Sequence, residues 1–156
     1  MTAPTSPFAD LDALISAIYR TISGACDAER DWSLQAELFH PDARQMRTGF
    51  DDGRPWLKAM TPDEYRKNAG ELLHSRPFFE IEIGRTVQRF GNIAHVLSTY
   101  EAREDPDDPA VERRGVNSIQ CYHDGQRWWI VNMIWDNERP GQHLPAAWLD
   151  GGQDCD

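Results

Sequence analysis

The order of the elements predicts an α+β fold, in which a curved antiparallel sheet wraps around about three N-terminal helices. Apolar residues recur at helical spacing through the first half of the chain, and the period changes to two after Pro77. Turns that contain glycine then separate the successive strands. With 156 residues, 40% of them apolar, the chain is long enough to bury a core without disulfide bonds.

Capping signals predict the three helices. Ser6 and the proline after it mark the start of the first helix, and Gly24 marks its end. The apolar residues of this helix lie on one stripe: Leu11, Leu14, Ile15, Ile18, Tyr19 and Ile22. Asp31 is the predicted cap of a short second helix, and the capping box formed by Thr61 and Glu64 opens the third.

Alternation of apolar and polar residues predicts the strands. They are expected at 79–88, 93–103, 114–122 and 128–136, with a short extra strand at 44–47. Gly91-Asn92 is the predicted turn after the strand at 79–88, and Asp124-Gly125 is the strongest hairpin signal. One helical turn is expected at 145–149.

The register of the last hairpin decides which side chains face the interior. If Asp124-Gly125 is a two-residue turn, His123 pairs with Gln126, and Asn117 pairs with Asn132. Residues that pair share a face of the sheet. The predicted inner face then carries Asn117, Ile119, Cys121, Trp128, Ile130, Asn132, Ile134 and, at the end of the strand, Asp136. The predicted outer face carries Val116, Ser118, Gln120, Tyr122, Trp129, Val131, Met133 and Trp135.

Both faces of the last strand are apolar, so both need to be covered. The three helices can cover one face. A second copy of the sheet would cover the other face in a twofold homodimer, and we predict Trp129, Met133 and Trp135 as the anchors of that interface. The alternative is that the C-terminal segment folds back over this face.

The formal net charge of −10 argues against nucleic acid and against anionic membranes as partners. We predict a single domain at 1–139 and an acidic C-terminal tail at 140–156. The first residues show no leader pattern, and no apolar stretch has the length of a membrane span. The cytoplasm is therefore the expected location.

The cysteines and histidines do not show metal-ligand spacing. Cys26, Cys121 and Cys155 form no CxxC pair, and the five histidines match no ligand motif. No glycine-rich phosphate loop is present. We therefore expect neither a metal site nor a cofactor.

Five short motifs occur in a fixed order within residues 8–139. They are Ile18-Tyr19 before Gly24, Arg30-Asp31-Trp32, Leu38-Phe39-His40-Pro41-Asp42-Ala43, Arg114-Gly115-Val116-Asn117-Ser118-Ile119-Gln120 and Arg127-Trp128-Trp129-Ile130-Val131. In these motifs the chain resembles the nuclear transport factor 2-like superfamily, specifically its bacterial SnoaL-like branch. The resemblance implies a cystatin-like α+β roll, shaped as a cone with a pocket at its wide end, and dimers through the outer sheet face.

The ketosteroid isomerases of this superfamily imply roles for three positions. Tyr19 stands where they have an oxyanion-binding tyrosine, and Asn117 stands where they have a carboxylic acid. Arg47 stands at the position of the catalytic base, and an arginine cannot accept a proton at neutral pH. An isomerase of this kind would need another carboxylate: Asp51, Asp52 or Asp136.

We predict a dimer that binds a small hydrophobic molecule, neutral or anionic, in an apolar pocket tipped by a few polar groups. One hypothesis is proton-transfer chemistry of the isomerase, dehydratase or cyclase type on an apolar carbonyl or hydroxyl compound. The alternative is a non-enzymatic ligand-sensing or scaffold module, because one fold hosts many functions. The predicted catalytic residues are Tyr19, Asn117 and Asp136, and the predicted ligand-binding residues are Arg47, Tyr100, Ile119, Ile130, Asn132 and Ile134.

Overall fold

The computed structural model describes residues 4–149, which contain three α-helices and six strands. Two helices precede the first two strands, and the third helix precedes the last four. The helices are α1 (Leu11–Ile22), α2 (Trp32–Glu37) and α3 (Pro62–Leu73). The strands are β1 (Phe39–Asp51), β2 (Arg54–Met60), β3 (Phe79–Phe90), β4 (Ile93–Arg103), β5 (Arg113–His123) and β6 (Trp128–Asn137). They form one sheet in the order β2-β1-β6-β5-β4-β3, which confirms the α+β fold class. Within the described range no helix is both long and apolar enough to cross a bilayer.

The predicted capping residues begin the helices, with one shift at the N-terminus. Ser6 caps a short 3₁₀ turn at Pro7–Ala9, and α1 begins only after Asp10, whose side chain accepts from the backbone of the first turn. Asp31 caps α2, and the capping box at Thr61 is complete. These interactions are local in sequence, because each cap bonds to backbone N–H groups two or three residues away.

The sheet is mixed, which corrects the prediction of a purely antiparallel sheet. β1 runs parallel to β6, with Gln45 opposite Met133 and Arg47 opposite Trp135. The other neighbouring strands are antiparallel. A parallel pair needs a long crossover, and here α3 and four strands lie between β1 and β6 in the chain.

The short strand predicted at 44–47 is in fact one part of a long β1–β2 hairpin. β1 has 13 residues and pairs with β2 across the turn Asp52-Gly53. Both turn residues have positive φ, 50° at Asp52 and 75° at Gly53, as a two-residue type I′ turn requires. The sequence carried this Asp-Gly signal, although no second strand was predicted after it.

The predicted two-residue turn between β5 and β6 is wrong. The loop contains four residues, so His123 pairs with Trp128 rather than Gln126. The Asp124 carboxylate accepts from the backbone N–H groups of Gln126 and Arg127, both at 2.8 Å. An aspartate that binds backbone groups two and three residues ahead stabilises this wider turn.

A β-bulge in β6 then reverses the faces of the second half of that strand. Val131 has no partner on β5, and Asn117 lies opposite Trp135 instead of Asn132. One extra residue shifts the alternation by one position. Met133 and Trp135 therefore face the interior, and the prediction that they anchor an outer interface is wrong.

The predictions of an inward orientation are wrong for Asn132, Ile134 and Asp136, which lie on the outer face. Trp128 and Ile130 precede the bulge and face inward as predicted, with Trp129 outward.

A second bulge has the same effect in β3. Ile83 has no partner on β4, and Glu82 lies opposite Tyr100. The alternation in 79–88 predicts that the apolar residues face inward along the whole strand. Before the bulge, the polar side faces the interior instead, and this side carries Glu80 and Glu82.

The hydrophobic core lies between α1 and the inner face of the sheet. Its largest fully buried apolar side chains include Leu14 and Ile15 of α1, Ile119 of β5 and Ile130 of β6. Burying each such side chain contributes about 1.5–3 kcal/mol. α3 packs against β1 and β2 instead, at some distance from this core, and leaves a space between itself and the sheet.

Arg30 fastens the loop after α1 to the start of β3. Its side chain is only 5% exposed, and its guanidinium donates to five backbone carbonyl oxygens, those of Ile22, Gly24, Ala25, Ala28 and Arg76. The loop also pairs with the sheet through reciprocal backbone bonds between Gly24 and Phe78. A buried guanidinium that satisfies this many carbonyl groups makes the local structure depend on one side chain.

The C-terminal segment covers part of the outer sheet face. It forms a 3₁₀ turn at Ala146–Trp148, within the helical turn predicted at 145–149. The Thr99 hydroxyl donates to the Trp148 carbonyl oxygen at 2.7 Å, and Gly84 leaves room for this contact because a Cβ there would meet the same oxygen. The alternative prediction placed the C-terminal segment over the outer face of the last strand, whereas the 3₁₀ turn lies against β3 and β4. Residues 150–156, with the acidic residues of the predicted tail and Cys155, lie outside the described residues.

Candidate functional site

A cavity of about 500 Å³ lies between α3 and the inner face of the sheet. A volume of this order accommodates a small organic molecule. Its apolar walls include Ile18, Leu73, Phe78, Met133 and Trp135. The polar side chains that reach into it from the strands or their ends include Glu80, Tyr100, Asn117 and Asn137.

Asn117 is held in the cavity wall by a chain of hydrogen bonds. Its side-chain N–H donates to the Tyr19 hydroxyl at 3.0 Å, and the hydroxyls of Tyr19 and Ser98 are 2.5 Å apart. Ser98 donates its hydroxyl hydrogen to the Glu82 carboxylate. Tyr19 must therefore be the donor to Ser98, because a serine hydroxyl has one hydrogen. The Tyr19 hydrogen is used inside the protein, and the Asn117 amide is the group that faces the cavity.

Charged groups at the surface end of this series of hydrogen bonds hold its members in position. Arg85 donates to both carboxylate oxygens of Glu82, through Nε to Oε2 at 3.0 Å and through Nη2 to Oε1 at 2.5 Å. Its Nη1 donates to Asp12 of α1 at 2.7 Å. Bidentate pairs of this kind are directional. The orientation of Asn117 is thus coupled through several bonds to the packing of α1 on β3.

Tyr100 also uses its hydroxyl inside the protein. It donates to the Asn137 side-chain oxygen at 2.6 Å. Gly115 allows this contact, because a Cβ there would meet both of these groups. Burial raises the pKa of the Tyr100 hydroxyl, so it remains a neutral donor.

Glu80 is a carboxyl group in the cavity without a neutralising contact. The backbone N–H of Glu80 donates to the Ser23 hydroxyl at 3.1 Å, which fixes the start of β3. The side chain lines the cavity, and within residues 4–149 no hydrogen bond or ion pair joins it to another side chain. Arg113 is the basic group whose charge acts on it.

Burial raises the pKa of Glu80 from its ordinary value of 4.5 to about 7, although the charge of Arg113 acts in the opposite direction. Burial is the largest cause that raises the pKa values of Tyr19, Tyr65 and Tyr100, and the charge of Glu80 is the second largest. The Glu80 charge thus acts on all three hydroxyls. A carboxyl with a pKa close to neutral pH can both release and accept a proton, as a general acid or base must.

Basic side chains outnumber acidic ones around the cavity. Arg47, Lys58, Arg76 and Arg113 line it together with Glu71 and Glu80. Arg76 and Arg113 lie 2.6 and 3.6 Å from the Glu112 carboxylate, respectively. Arg47 and Lys58 lie opposite each other on β1 and β2, and among the described residues neither has a carboxylate at salt-bridge distance.

Two glutamine side chains beside the cavity lack a partner for one atom. Gln35 of α2 and Gln45 of β1 are each 1% exposed and belong to the cavity lining. In the described part of the chain, no donor reaches the side-chain oxygen of either residue. A buried amide oxygen without a hydrogen bond is unfavourable by about 1–3 kcal/mol.

The structure brings some of the predicted site residues together and separates others. Arg47, Tyr100 and Asn117 line the cavity, and Tyr19 supports Asn117 from behind. Ile119 and Ile130 are fully buried in the core and do not line it. The outer-face residues lie away from it: Asn132, Ile134 and Asp136, the last of which pairs with Arg139. Asp51 and Asp52 are exposed at the β1–β2 turn.

Sequence reasoning did not assign Glu80, Tyr65 and Trp135 to the cavity. For Glu80 and Trp135 the cause is a bulge that turns the residue inward. Tyr65 was recognisable as part of the apolar face of α3, and it packs edge to face on Trp135 with 5.8 Å between ring centroids. Within residues 4–149 no group of three acidic, histidine or cysteine side chains is arranged to hold a metal ion.

Neither a family model nor a curated protein matches the sequence. Solved structures match the fold. A nuclear transport factor 2-like protein of unknown function from Silicibacter pomeroyi is 14% identical, with a TM-score of 0.58 over 82% of this chain and 92% of that chain. A protein of the same type with a cystatin-like fold from Novosphingobium aromaticivorans is 13% identical, with a TM-score of 0.59 over 81% and 78%. A protein provisionally described as a ketosteroid isomerase, from Parabacteroides distasonis, is 16% identical, with a TM-score of 0.55 over 83% and 88%.

These similarities define the class of fold as a cystatin-like α+β cone. More specifically, the chain has the fold of the nuclear transport factor 2-like superfamily, which confirms the resemblance found in the sequence motifs. The narrower SnoaL-like branch stays a prediction. Because the identities are low, the likeness establishes the fold and leaves the activity to be argued from the cavity.

Proposed function

We propose that this protein binds a small apolar compound in the cavity and catalyses a proton transfer on it, with Glu80 as the general base and acid. The observation that carries this proposal is the Glu80 carboxyl, which faces the cavity without an ion pair among the described residues. Its pKa of about 7 suits both halves of a proton transfer. In this proposal Glu80 takes the role that the resemblance assigned to the position of Arg47, and Asp136 has no part in it.

The chemistry follows from the groups in the cavity. The Glu80 carboxylate removes a proton from a carbon next to a carbonyl group, and the electron pair of that C–H bond forms an enolate. Asn117 donates a side-chain N–H to the enolate oxygen, a type of interaction that contributes about 3–4 kcal/mol to a transition state. Glu80 then returns the proton to another carbon, which completes an isomerisation. In a β-hydroxy compound, Glu80 instead gives the proton it has taken to the β-hydroxyl oxygen. The C–O bond then breaks, water leaves, and the electron pair of the enolate forms the C=C bond.

The test measures proton exchange on a simple ketone. The α-hydrogens of 2-tetralone exchange with D₂O, and NMR follows the loss of their signals. We expect the protein to accelerate exchange and the rate to rise with pH through a midpoint near 7, because the base must be deprotonated. The Glu80→Gln variant should exchange 2-tetralone no faster than buffer.

Glu104→Gln is the matched control, because Glu104 is an exposed carboxylate in the loop before β5. It should leave the exchange rate unchanged. Acceleration that survives in Glu80→Gln would show that another group is the base, and the proposal would then be wrong.

The second candidate is a ligand-binding module without catalysis. The observation that favours it is that the hydroxyls of Tyr19 and Tyr100 both donate to groups of the protein itself, to Ser98 and Asn137 respectively. An oxyanion would then have fewer donors than in a ketosteroid isomerase. Binding of 2-tetralone by calorimetry, without faster exchange than in buffer, would favour this candidate.

We also propose that the protein forms a homodimer through the part of the outer face that the C-terminal segment leaves open. Val116, Ile134 and Trp129 are partly exposed there. The neighbouring polar residues at the centre are uncharged: Ser118, Gln120 and Asn132. A patch whose centre carries no charge can meet its own copy with little repulsion, even in a chain with a net charge of −10.

Ile134→Asp tests this interface by placing a charge at its centre. Light scattering should show the mass of a dimer for the natural protein and of a monomer for the variant. Phe90→Asp is the control, because Phe90 is 84% exposed at the tip of the β3–β4 hairpin. A monomeric natural protein, or an Ile134→Asp dimer, would contradict the proposed interface.

A further inference from the structure

A pair of like charges stands on the cavity wall formed by β1 and β2. Arg47 and Lys58 lie directly opposite each other in the antiparallel register, and both line the cavity. Directly opposed side chains have Cβ atoms about 5 Å apart, so two positive charges at these positions repel each other. Both residues are exposed, so water and salt screen part of this repulsion. An anion between them would remove this repulsion.

Glu71 of α3 lines the same cavity, but among the described residues it forms no ion pair with either member of this pair. Within residues 4–149, neither Arg47 nor Lys58 has a carboxylate partner at salt-bridge distance, whereas Arg76 and Arg113 share Glu112. Most of the chain is acidic, with a net charge of −10, yet this wall is basic. The contrast places positive charge on one wall of the proposed site.

The neighbouring groups on the same wall point to a polar ligand end as well. Gln45 precedes Arg47 by two residues, so both side chains are on the inner face. Only the side-chain N–H of Gln45 can contact a carboxylate, because an ionised carboxylate accepts hydrogen bonds and cannot supply the donor that the Gln45 oxygen lacks among the described residues. Arg47 also acts on the opposite wall of the cavity, since its charge opposes the rise in the pKa of Tyr65 that burial causes. Arg47 thus faces the cavity space between β1 and α3.

We propose that the compound bound in the cavity is an apolar-bodied carboxylic acid whose carboxylate is held by Arg47 and Lys58, beside the Gln45 amide. This inference rests on the proposed function for the cavity and adds the substrate class. The arginine presents a planar pair of N–H donors that matches a carboxylate, and the lysine adds a point charge. The apolar body lies against Trp135 and Met133, which follow the same wall into the cavity.

The geometry of the sheet also orients the ligand. Arg47 is on β1 and Glu80 is on β3, and three strands lie between them in the sheet order. Neighbouring strands are about 4.8 Å apart, so the path along the sheet is about 19 Å and the distance across the curved cavity is shorter. The carboxylate is therefore at the end of the molecule remote from the atom that exchanges a proton with Glu80.

A matched pair of probes tests the substrate class: 2-naphthoate and its neutral amide, 2-naphthamide. They share an apolar body and differ in charge. Calorimetry at low salt should show that 2-naphthoate binds about tenfold more tightly, which corresponds to about 1.4 kcal/mol. Addition of about 1 M NaCl should weaken the binding of 2-naphthoate and leave that of 2-naphthamide unchanged, because salt screens exposed charges.

The double variant Arg47→Gln, Lys58→Gln should bind both probes with equal affinity. Arg44→Gln is the control, because Arg44 is an exposed arginine of the same strand on the opposite face. It should keep the preference for 2-naphthoate. Circular dichroism and thermal unfolding confirm that each variant is folded, and the salt titration of the natural protein provides the same answer without a substitution.

Glu80→Gln separates this inference from the proposed function. If the inference is right, this variant keeps the preference for 2-naphthoate even though it loses the exchange of 2-tetralone. Equal binding of the two probes, preference for the amide, or no binding of either would overturn the carboxylic-acid assignment. Exchange of 2-tetralone that depends on Glu80 would in that case still support the proton-transfer proposal.

Discussion

The Glu80→Gln variant should become more stable relative to the natural protein as the pH rises. Below its ordinary pKa the carboxyl group is protonated in both the folded and the unfolded state. Between 4.5 and about 7 the unfolded chain has released this proton while the folded protein still holds it, so the free energy of unfolding falls as the pH rises. Above about 7 both states are ionised and the loss is constant. Glutamine carries no such proton.

The size of the effect follows from the shift in pKa. A shift from 4.5 to about 7 corresponds to about 3 kcal/mol, at 1.36 kcal/mol for each pKa unit. Part of this loss is already present at about pH 5, because the unfolded carboxyl is then mostly ionised. The stability of Glu80→Gln relative to the natural protein should therefore increase by about 2–3 kcal/mol between about pH 5 and about pH 8.

Urea unfolding, followed by the fluorescence of the six tryptophans, measures this difference at several pH values. Glu104→Gln is again the control, and its stability relative to the natural protein should depend little on pH since Glu104 is exposed. If the free energies of unfolding of Glu80→Gln and the natural protein differ by the same amount at every pH, the Glu80 carboxyl is well hydrated in the folded protein. The physical basis for Glu80 as a poised base would then be lost.

Three further substitutions test the contacts that support the cavity and the sheet. Arg30→Met should lower the free energy of unfolding by about 3 kcal/mol or more in urea titrations, since it leaves buried carbonyl groups without donors; a loss below 1 kcal/mol, as expected for exposed Arg20→Met, would contradict this. Gly84→Ala should displace the C-terminal turn, because its methyl group would meet the Trp148 carbonyl oxygen. Faster chymotrypsin cleavage at Trp148 is the readout, and an unchanged rate would refute the contact. Asn117→Leu should lose about 1–3 kcal/mol of stability by removing the donor to Tyr19, and should slow the exchange of 2-tetralone; an unchanged exchange rate would remove Asn117 from the mechanism.

Interactions that are local in the chain were readable from the sequence. Asp31 and Thr61 cap their helices as predicted, because each cap bonds to a backbone group only three residues away. The strand at 93–103 has the predicted bounds, and the Gly91-Asn92 turn that precedes it joins Phe90 to its partner Ile93. The motif order that resembles the superfamily also leads to the correct fold.

The composition of the candidate site depended on register, and register was only partly readable. Two Asp-Gly pairs carry the same local signal, yet Asp52-Gly53 forms a two-residue turn whereas Asp124-Gly125 lies in a four-residue loop. The flanking strands decide between these outcomes, since each loop must connect strands whose pairing is set by the rest of the sheet. The prediction of Asn117 inside survived this error, but the prediction of Asn132 beside it did not.

The amino-acid sequence by itself determined the helices, most strand positions, the α+β class and the acidic character of the chain, because capping, periodicity and charge act over a few residues or simply add up. Only the tertiary structure decided that Glu80 and Trp135 enter the cavity. Each is turned inward by one unpaired residue, Ile83 or Val131, whose position depends on how the curved sheet packs around α1. A bulge does not alter the local alternation of the sequence, yet it exchanges every side chain beyond it between the two faces. The residue proposed to move the proton is therefore visible as a charge in the sequence and as a cavity group only in the folded chain.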